Sequence, residues 1–176
     1  MTTGDQHRLF LALWPDQETR SKLAAAARQW TRHPVPSANL HMTLVFIGAC
    51  DRDRWRCIDD AVSTVISQPF EINIDYLGSW HRKKMQWLGT SCAPEALGEL
   101  VESLRSSLLR CDFQPGHQHF VPHVTLSRKE QNPQIRAGLD AIHWPVDEFV
   151  LAESLSVPGG VRYVVRRRWP LSGGAQ

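Results

Sequence analysis

The sequence predicts a mixed fold of helices and strands built as two similar lobes, with a candidate site where the lobes meet. Three observations carry this prediction. Strand-like and helix-like segments follow one another in an order that occurs twice along the chain. A four-residue block, histidine–apolar–threonine–leucine, occurs as HMTL from His41 and as HVTL from His123, at the same place in each repeat. A proline-bearing loop leads into each block.

Taken in order, Arg8 to Trp14 (RLFLALW) is an uninterrupted apolar run suited to a buried strand, and Pro15-Asp16 ends it. A helix follows, with Leu23, Ala24, Ala27 and Trp30 at helical spacing. His33 to Asn39 carries two prolines and reads as a loop. Leu40 to Ile47 is strand-like and Gly48 closes it. A second helix is expected from about Asp53, with Trp55, Ile58, Val62 and Ile66 on one stripe. Phe70 to Leu77 alternates, Ile72, Ile74 and Tyr76 against Glu71, Asn73 and Asp75, as one half-buried strand.

Gly78 to Lys84 reads as a polar turn and Met85 to Thr90 as the returning strand of a hairpin. Pro94 suits a first helical turn, and Leu97, Leu100, Val101, Leu104 and Leu108 mark an amphipathic helix. Cys111 to Phe120 is expected as a loop and Val121 to Ser127 as a strand. Pro133 to Leu139 is expected as a short helix, and Phe149–Leu155 and Val161–Trp169 as two last strands about the turn Pro158-Gly159-Gly160. Phe10 to His41 spans 31 residues and Trp87 to His123 spans 36, so the two halves agree in spacing. This leads us to expect two lobes related by a pseudo-twofold axis, within a single domain over residues 1–176.

Composition narrows the function classes. The chain is 42% hydrophobic and 22% charged, as an ordinary globular protein is. No apolar run approaches the roughly 20 residues of a membrane helix, and the start MTTGDQHRLF lacks the basic-then-apolar layout of a secretory signal. A cytoplasmic location and no membrane contact are the default expectations. The four cysteines form no C-x-x-C pair, and their spacing predicts reduced thiols rather than a zinc site or disulfide framework. The net charge of +2 gives no duplex-DNA signature. Local clusters, Arg82-Lys83-Lys84, Arg128-Lys129 and Arg162 with Arg166-Arg167-Arg168, suit a short anionic ligand or else solvated edges.

Residues two apart on a strand point the same way, so His41 shares a face with Thr43, and His123 with Thr125. Chance alone predicts about 0.4 H-x-T matches in this composition, so one would carry little weight. Two matches at equivalent places carry more. A histidine opening a strand is often structural, tied to a loop carbonyl, but a symmetric pair is how acid–base partners are recognised. One neutral imidazole takes a proton from an attacking water, and one protonated imidazole gives a proton to the departing oxygen. The threonine hydroxyls donate to the charged oxygens. A metal reading competes at His117, His119 and His123. There, Pro122 and the missing carboxylate or cysteine partner argue against a site.

At these residues the sequence resembles the two-histidine (2H) phosphoesterase superfamily, and most closely the bacterial and archaeal RNA 2′,3′-cyclic phosphodiesterases, historically called 2′-5′ RNA ligases. The likeness covers RLFLALWP, HMTLVFIG, FEINIDYLGSW with MQWLG, PHVTLSR and the ending LAESLSV with VRYVVRRRWPL. It implies an α+β fold, bilobal, with two antiparallel sheets facing a central cleft and helices outside. It implies hydrolysis of an RNA 2′,3′-cyclic phosphodiester end to a 2′-phosphomonoester with O3′ leaving, with reversible 2′-5′ ligation as a side activity. By the same likeness His41 is the general acid and His123 the general base, Thr43 and Thr125 bind the phosphate, and Arg128 contacts it. The partner is then an RNA end, tRNA halves included. We expect a monomer, and neither a cofactor nor a metal.

Arg128 is five residues from His123, so regular alternation turns it away from the site unless the strand ends or bulges near Ser127. The first motif has Phe46 at that place. Phe10, Trp80, Trp144 and Tyr163 are candidates to stack a base. A non-catalytic RNA- or nucleotide-binding domain, or an esterase for another small cyclic phosphate, is the alternative.

Overall fold

The computed structural model describes residues 6–114, 116 and 119–173. Among these residues, two antiparallel sheets and three α-helices make up the α+β fold. The strands are β1 (His7–Leu13), β2 (Met42–Cys50), β3 (Phe70–Ile74), β4 (Tyr76–Trp80), β5 (Met85–Gly89), β6 (His123–Ser127), β7 (Ile142–Val146), β8 (Glu148–Val157) and β9 (Gly160–Pro170). The larger sheet runs β4-β5-β6-β2-β1-β8-β9, and β3 pairs with β7 in the smaller one. The larger sheet is narrowest in the middle, where β2 meets β6 through the single residue pair Met42↔Val124. These are the residues that follow the two motif histidines, so equivalent residues of the two motifs face each other across that seam.

The helices α1 (Gln17–Trp30), α2 (Arg52–Val62) and α3 (Glu95–Leu108) form where capping and apolar spacing agree. The Asp16 carboxylate caps α1 by accepting from the Thr19 N–H at 2.7 Å. Leu23, Ala24 and Ala27 of α1 and Leu97, Leu100, Val101, Leu104 and Leu108 of α3 are buried, as the periodicity predicts. They pack with Leu9, Leu11 and Leu13 of β1 in one large core. The alternate β1 residues, Phe10 and Ala12, lie on the other face with Val150 and Ala152. One face of the larger sheet therefore carries the helices and most of the hydrophobic core, which leaves the other face free for a site.

Several expectations are corrected. The Phe70–Leu77 strand is two strands that break at Asp75 and enter different sheets. The Asp75 carboxylate accepts from the Ser91 N–H at 2.7 Å and from the Ser91 hydroxyl at 2.5 Å, fixing the switch point. The polar turn is shorter than expected, because β4 continues to Trp80. Residues 133–139 are not helical. The buried Gln86 side chain accepts from the Gln134 N–H and donates to the Gln134 carbonyl, each at 2.7 Å, holding that segment extended beside Leu77↔Arg136. Ile66 lies beyond α2 and is exposed rather than on its buried stripe. The thiols are not all reduced: Cys57 on α2 and Cys111 just after α3 form a disulfide across 54 residues, their Cα atoms 5.7 Å apart. The sequence hides that pair because only the packing of α2 on the end of α3 brings the two together. No helix among the described residues is long and apolar enough to cross a membrane.

Candidate functional site

The two H-x-T blocks meet at the β2–β6 seam, and His41, Thr43, His123, Thr125 and Arg128 all line one cavity of about 530 Å³. Each imidazole is held in the same way. His41 Nδ1 lies 2.6 Å from the Asn39 carbonyl oxygen, and His123 Nδ1 lies 2.8 Å from that of Val121. A carbonyl only accepts, so each Nδ1 must carry the proton, and the neutral ring presents its Nε2 lone pair. For His41 that nitrogen lies 3.0 Å from Thr43 Oγ1, whose hydroxyl donates to it in the neutral state. The carbonyl tether, the ordinary structural role of a histidine at a strand start, here fixes the tautomer and aims the ring.

Burial pushes both imidazoles below the usual histidine range. His41 falls to about 4, first through desolvation, then through the nearby positive charges of Arg128 and His123, against the raising effect of its carbonyl bond. His123 is lowered by desolvation and by Arg128 and Lys83, again against its carbonyl bond. Both rings are therefore mainly neutral at pH 7 in the free protein. Arg128 lines the same cavity, and its positive charge disfavours the protonated form of both rings.

Strand irregularity explains how Arg128 gets there. Trp87 pairs with Thr125, but Gln86 pairs with Ser127, so β6 carries one extra residue, Leu126. The alternation is reset at this bulge, and Arg128 returns to the cleft face. The first motif has the same device. Ala12 pairs with Thr43 and Leu11 with Val45, so Leu44 is the extra residue. The final leucine of each H-x-T-L block is thus a bulge with a buried side chain.

Aromatic rings surround each histidine. His41 has Phe10 at 5.0 Å, Tyr163 at 4.9 Å edge-on and Trp14 stacked at 5.4 Å. His123 has Trp80 edge-on at 4.6 Å and Trp87 at 6.0 Å. A Cβ atom added at Gly78 or at Gly89 would collide with the Trp87 indole, so only glycine leaves room for that ring. Of the base-stacking candidates, Phe10, Trp80 and Tyr163 adjoin the histidines, whereas Trp144 is buried in the core on β7. Sequence reasoning misses Trp14, because its stacking on His41 depends on β1 and β2 lying side by side.

Lys83, Arg105 and His119 also line the cavity. Of the three histidines in the competing metal reading, His119 and His123 line this wall, and His117 lies outside the described residues. Among the described residues no group of three metal-ligating side chains occurs.

Comparison with known proteins agrees across the chain. A model of the 2′-5′ RNA ligase superfamily matches residues 14–157. The chain is 28% identical over 175 residues to the RNA 2′,3′-cyclic phosphodiesterase of Escherichia coli (strain K12), covering 96% of this chain and 99% of that one. To the RNA 2′,3′-cyclic phosphodiesterase of Archaeoglobus fulgidus it is 26% identical over 170 residues, covering 89% and 96%. The crystal structure of E. coli LigT complexed with 3′-AMP superposes with a TM-score of 0.86 at 28% identity over 96% of this chain and 99% of that one. That of TT0787 from Thermus thermophilus gives 0.82 at 26% identity over 96% and 100%.

Proposed function

The chain belongs to the 2′-5′ RNA ligase superfamily, and from that premise we propose that it hydrolyses RNA 2′,3′-cyclic phosphodiester ends to 2′-phosphomonoesters through His41 and His123, without a metal. The observation that carries this reading is the matched tether. Both Nδ1 protons are committed to backbone carbonyls, so both Nε2 atoms are left for proton transfer in one cavity. The curated relatives named above as RNA 2′,3′-cyclic phosphodiesterases supply the substrate class.

In this reading His123 Nε2 takes a proton from water as the water oxygen bonds to phosphorus. The P–O3′ bond breaks, and O3′ takes the proton from His41 Nε2. The assignment of acid and base follows the family likeness. Burial lowers His41 to about 4 in the empty site, so His41 needs help to act as the acid. The anionic phosphodiester supplies it, since a negative charge between the rings offsets Arg128 and favours the imidazolium. The Thr43 and Thr125 hydroxyls and the Arg128 guanidinium meet the non-bridging oxygens. With an RNA 5′-hydroxyl in place of water, the same transfers form a 2′-5′ linkage, so one site serves ligation too. We read residues 1–176 as one bilobal domain with internal pseudo-twofold duplication, acting as a cytoplasmic monomer on RNA ends that include tRNA halves.

An oligonucleotide with a 2′,3′-cyclic phosphate end tests the reading, incubated with and without EDTA. We expect an EDTA-resistant 2′-phosphate product, with His41→Ala and His123→Ala each slower by about 10²–10⁴. Full activity in either variant sinks the two-histidine mechanism. Activity lost to EDTA and restored by zinc replaces it with a metal one.

A further inference from the structure

We propose that Trp14 is a positioning residue for the reaction: its indole lies flat on His41, holds that ring in place, and favours the protonated ring that gives its proton to the departing oxygen. The inference rests on the phosphoesterase reading above and deepens it, since it names what besides the substrate helps His41 to act as the acid.

Register builds the contact. Ala12 pairs with Thr43 and Leu13 with Met42, so the next residue, Trp14, comes opposite His41. Alternation turns it to the face of Ala12, where it packs against the small cluster on the cleft side. The two rings are 5.4 Å apart and 15° from parallel. Phe10 is tilted by 39° to the same imidazole and Tyr163 stands edge-on to it, so among the described residues Trp14 supplies its flat face. Trp80 and Trp87 lie at 79° and 66° to His123, and neither is stacked on it. The stack therefore belongs to one histidine of the pair.

Arg20 of α1 fixes this arrangement. Its guanidinium lies 5.8 Å from the indole, donates to the Pro15 carbonyl at 2.8 Å, and reaches the Ser37 and Ala38 carbonyls at 3.4 Å. It thus joins the Trp14-Pro15 corner to the turn at Ser37–Asn39, whose Asn39 carbonyl accepts from His41 Nδ1. One side chain sets both the stacked ring and the tether of His41.

An aromatic face suits this place chemically. An imidazolium is attracted to the negative face of an indole, most strongly where water is excluded. A carboxylate would favour the same proton but repel the phosphodiester, and neither Asp nor Glu is among the residues that line the cavity. Stacking also leaves the in-plane nitrogens free, Nδ1 for its carbonyl and Nε2 for the reacting oxygen. The charged and titratable groups that face His41 are Arg128 and His123, which oppose its protonation, Tyr163 of β9 edge-on to the ring, and Arg20 against the indole itself. Against these cations the indole and the Asn39 carbonyl act in the opposite sense.

The experiment titrates the His41 ring signals by NMR in the free protein, and measures kcat at pH 7 on an oligonucleotide with a 2′,3′-cyclic phosphate end, for wild type, Trp14→Phe and Trp14→Leu. In Trp14→Leu the His41 titration should move down by about 0.5–1 pH, and kcat should fall by about 3–10-fold with KM within about twofold. Trp14→Phe keeps an aromatic face and should recover most of both. A His41 titration that stays at the wild-type position in Trp14→Leu overturns the proposal, and so does an unchanged kcat. Equal behaviour of the two variants overturns it too, because it would make Trp14 a packing residue alone. Should Trp14→Leu fail to fold, Trp14→Phe against wild type decides: a smaller downward movement supports the stack, and none overturns it. A shifted titration in a protein whose wild type does not open the substrate overturns the phosphoesterase reading, and with it the role of Trp14 in that reaction.

Discussion

At the scale of single residues, the coupling of burial to proton affinity at His41 has consequences in both activity and stability. The kcat/KM profile reports the free protein, where one ring sits near 4 and the other below 6.5. The active form carries one proton on the pair, so kcat/KM should peak below pH 6.5 and fall as pH rises further. The kcat optimum should lie higher, because bound phosphodiester raises both values. A kcat/KM maximum above pH 7 would contradict the burial argument. Stability moves the other way. Between pH 6.5 and 4 the unfolded chain binds a proton that folded His41 resists, so the fold weakens as pH falls through that window. His41 contributes on the order of 2–3 kcal/mol to that loss. Urea midpoints of wild type and His41→Gln at pH 7.5 and 4.5 should show the variant losing less. The histidines and threonines are legible from the sequence because the chemistry sits in a local, repeated pattern. The Trp14 ring stacked on His41 is not, because the end of β1 reaches it only through sheet order.

At the scale of elements, the bulges decide which side chains the site receives. Regular alternation from His123 would turn Ser127 and Lys129 inward, and the extra residue at Leu126 turns Arg128 inward instead. Arg128→Ala should therefore lower kcat/KM by roughly 10–100-fold, the size expected for a charged hydrogen bond to phosphate. Lys129→Ala should stay within about threefold of wild type. A larger loss in Lys129→Ala than in Arg128→Ala would mean that the strand keeps plain alternation. A bulge is invisible to pattern reading, since it changes pairing and not composition. The same limit hides the break at Asp75, where the apolar alternation continues although the hydrogen bonding changes sheets. It also hides β7, whose Pro145 is a residue that strands admit mainly at edges. Helix α3, with five buried apolar residues at strict spacing, is plain in the sequence because its signal is local.

At the scale of the whole molecule, stability and chemistry occupy opposite faces of one sheet. The helices and the larger core cover one face, and the cleft with its bulged strands opens on the other. Substitutions of the buried apolar residues of α3 should act on folding, and those along the seam on catalysis. The disulfide belongs to the first class, because Cys57 and Cys111 join α2 to the end of α3 and neither lines the cavity. Closing a loop of this length stabilises by roughly 2–4 kcal/mol, so Cys57→Ser should lower the melting temperature by several degrees in calorimetry. An unchanged melting temperature would show that the bridge adds nothing to the fold. The same bond makes residues 57–111 a closed covalent ring, and the exposed His81–Lys84 turn lies inside it. A protease that cuts once in that turn leaves a single molecule of unchanged mass apart from one added water. Only a thiol reductant then frees the two pieces, so this chain can be nicked at the edge of its own cleft without coming apart.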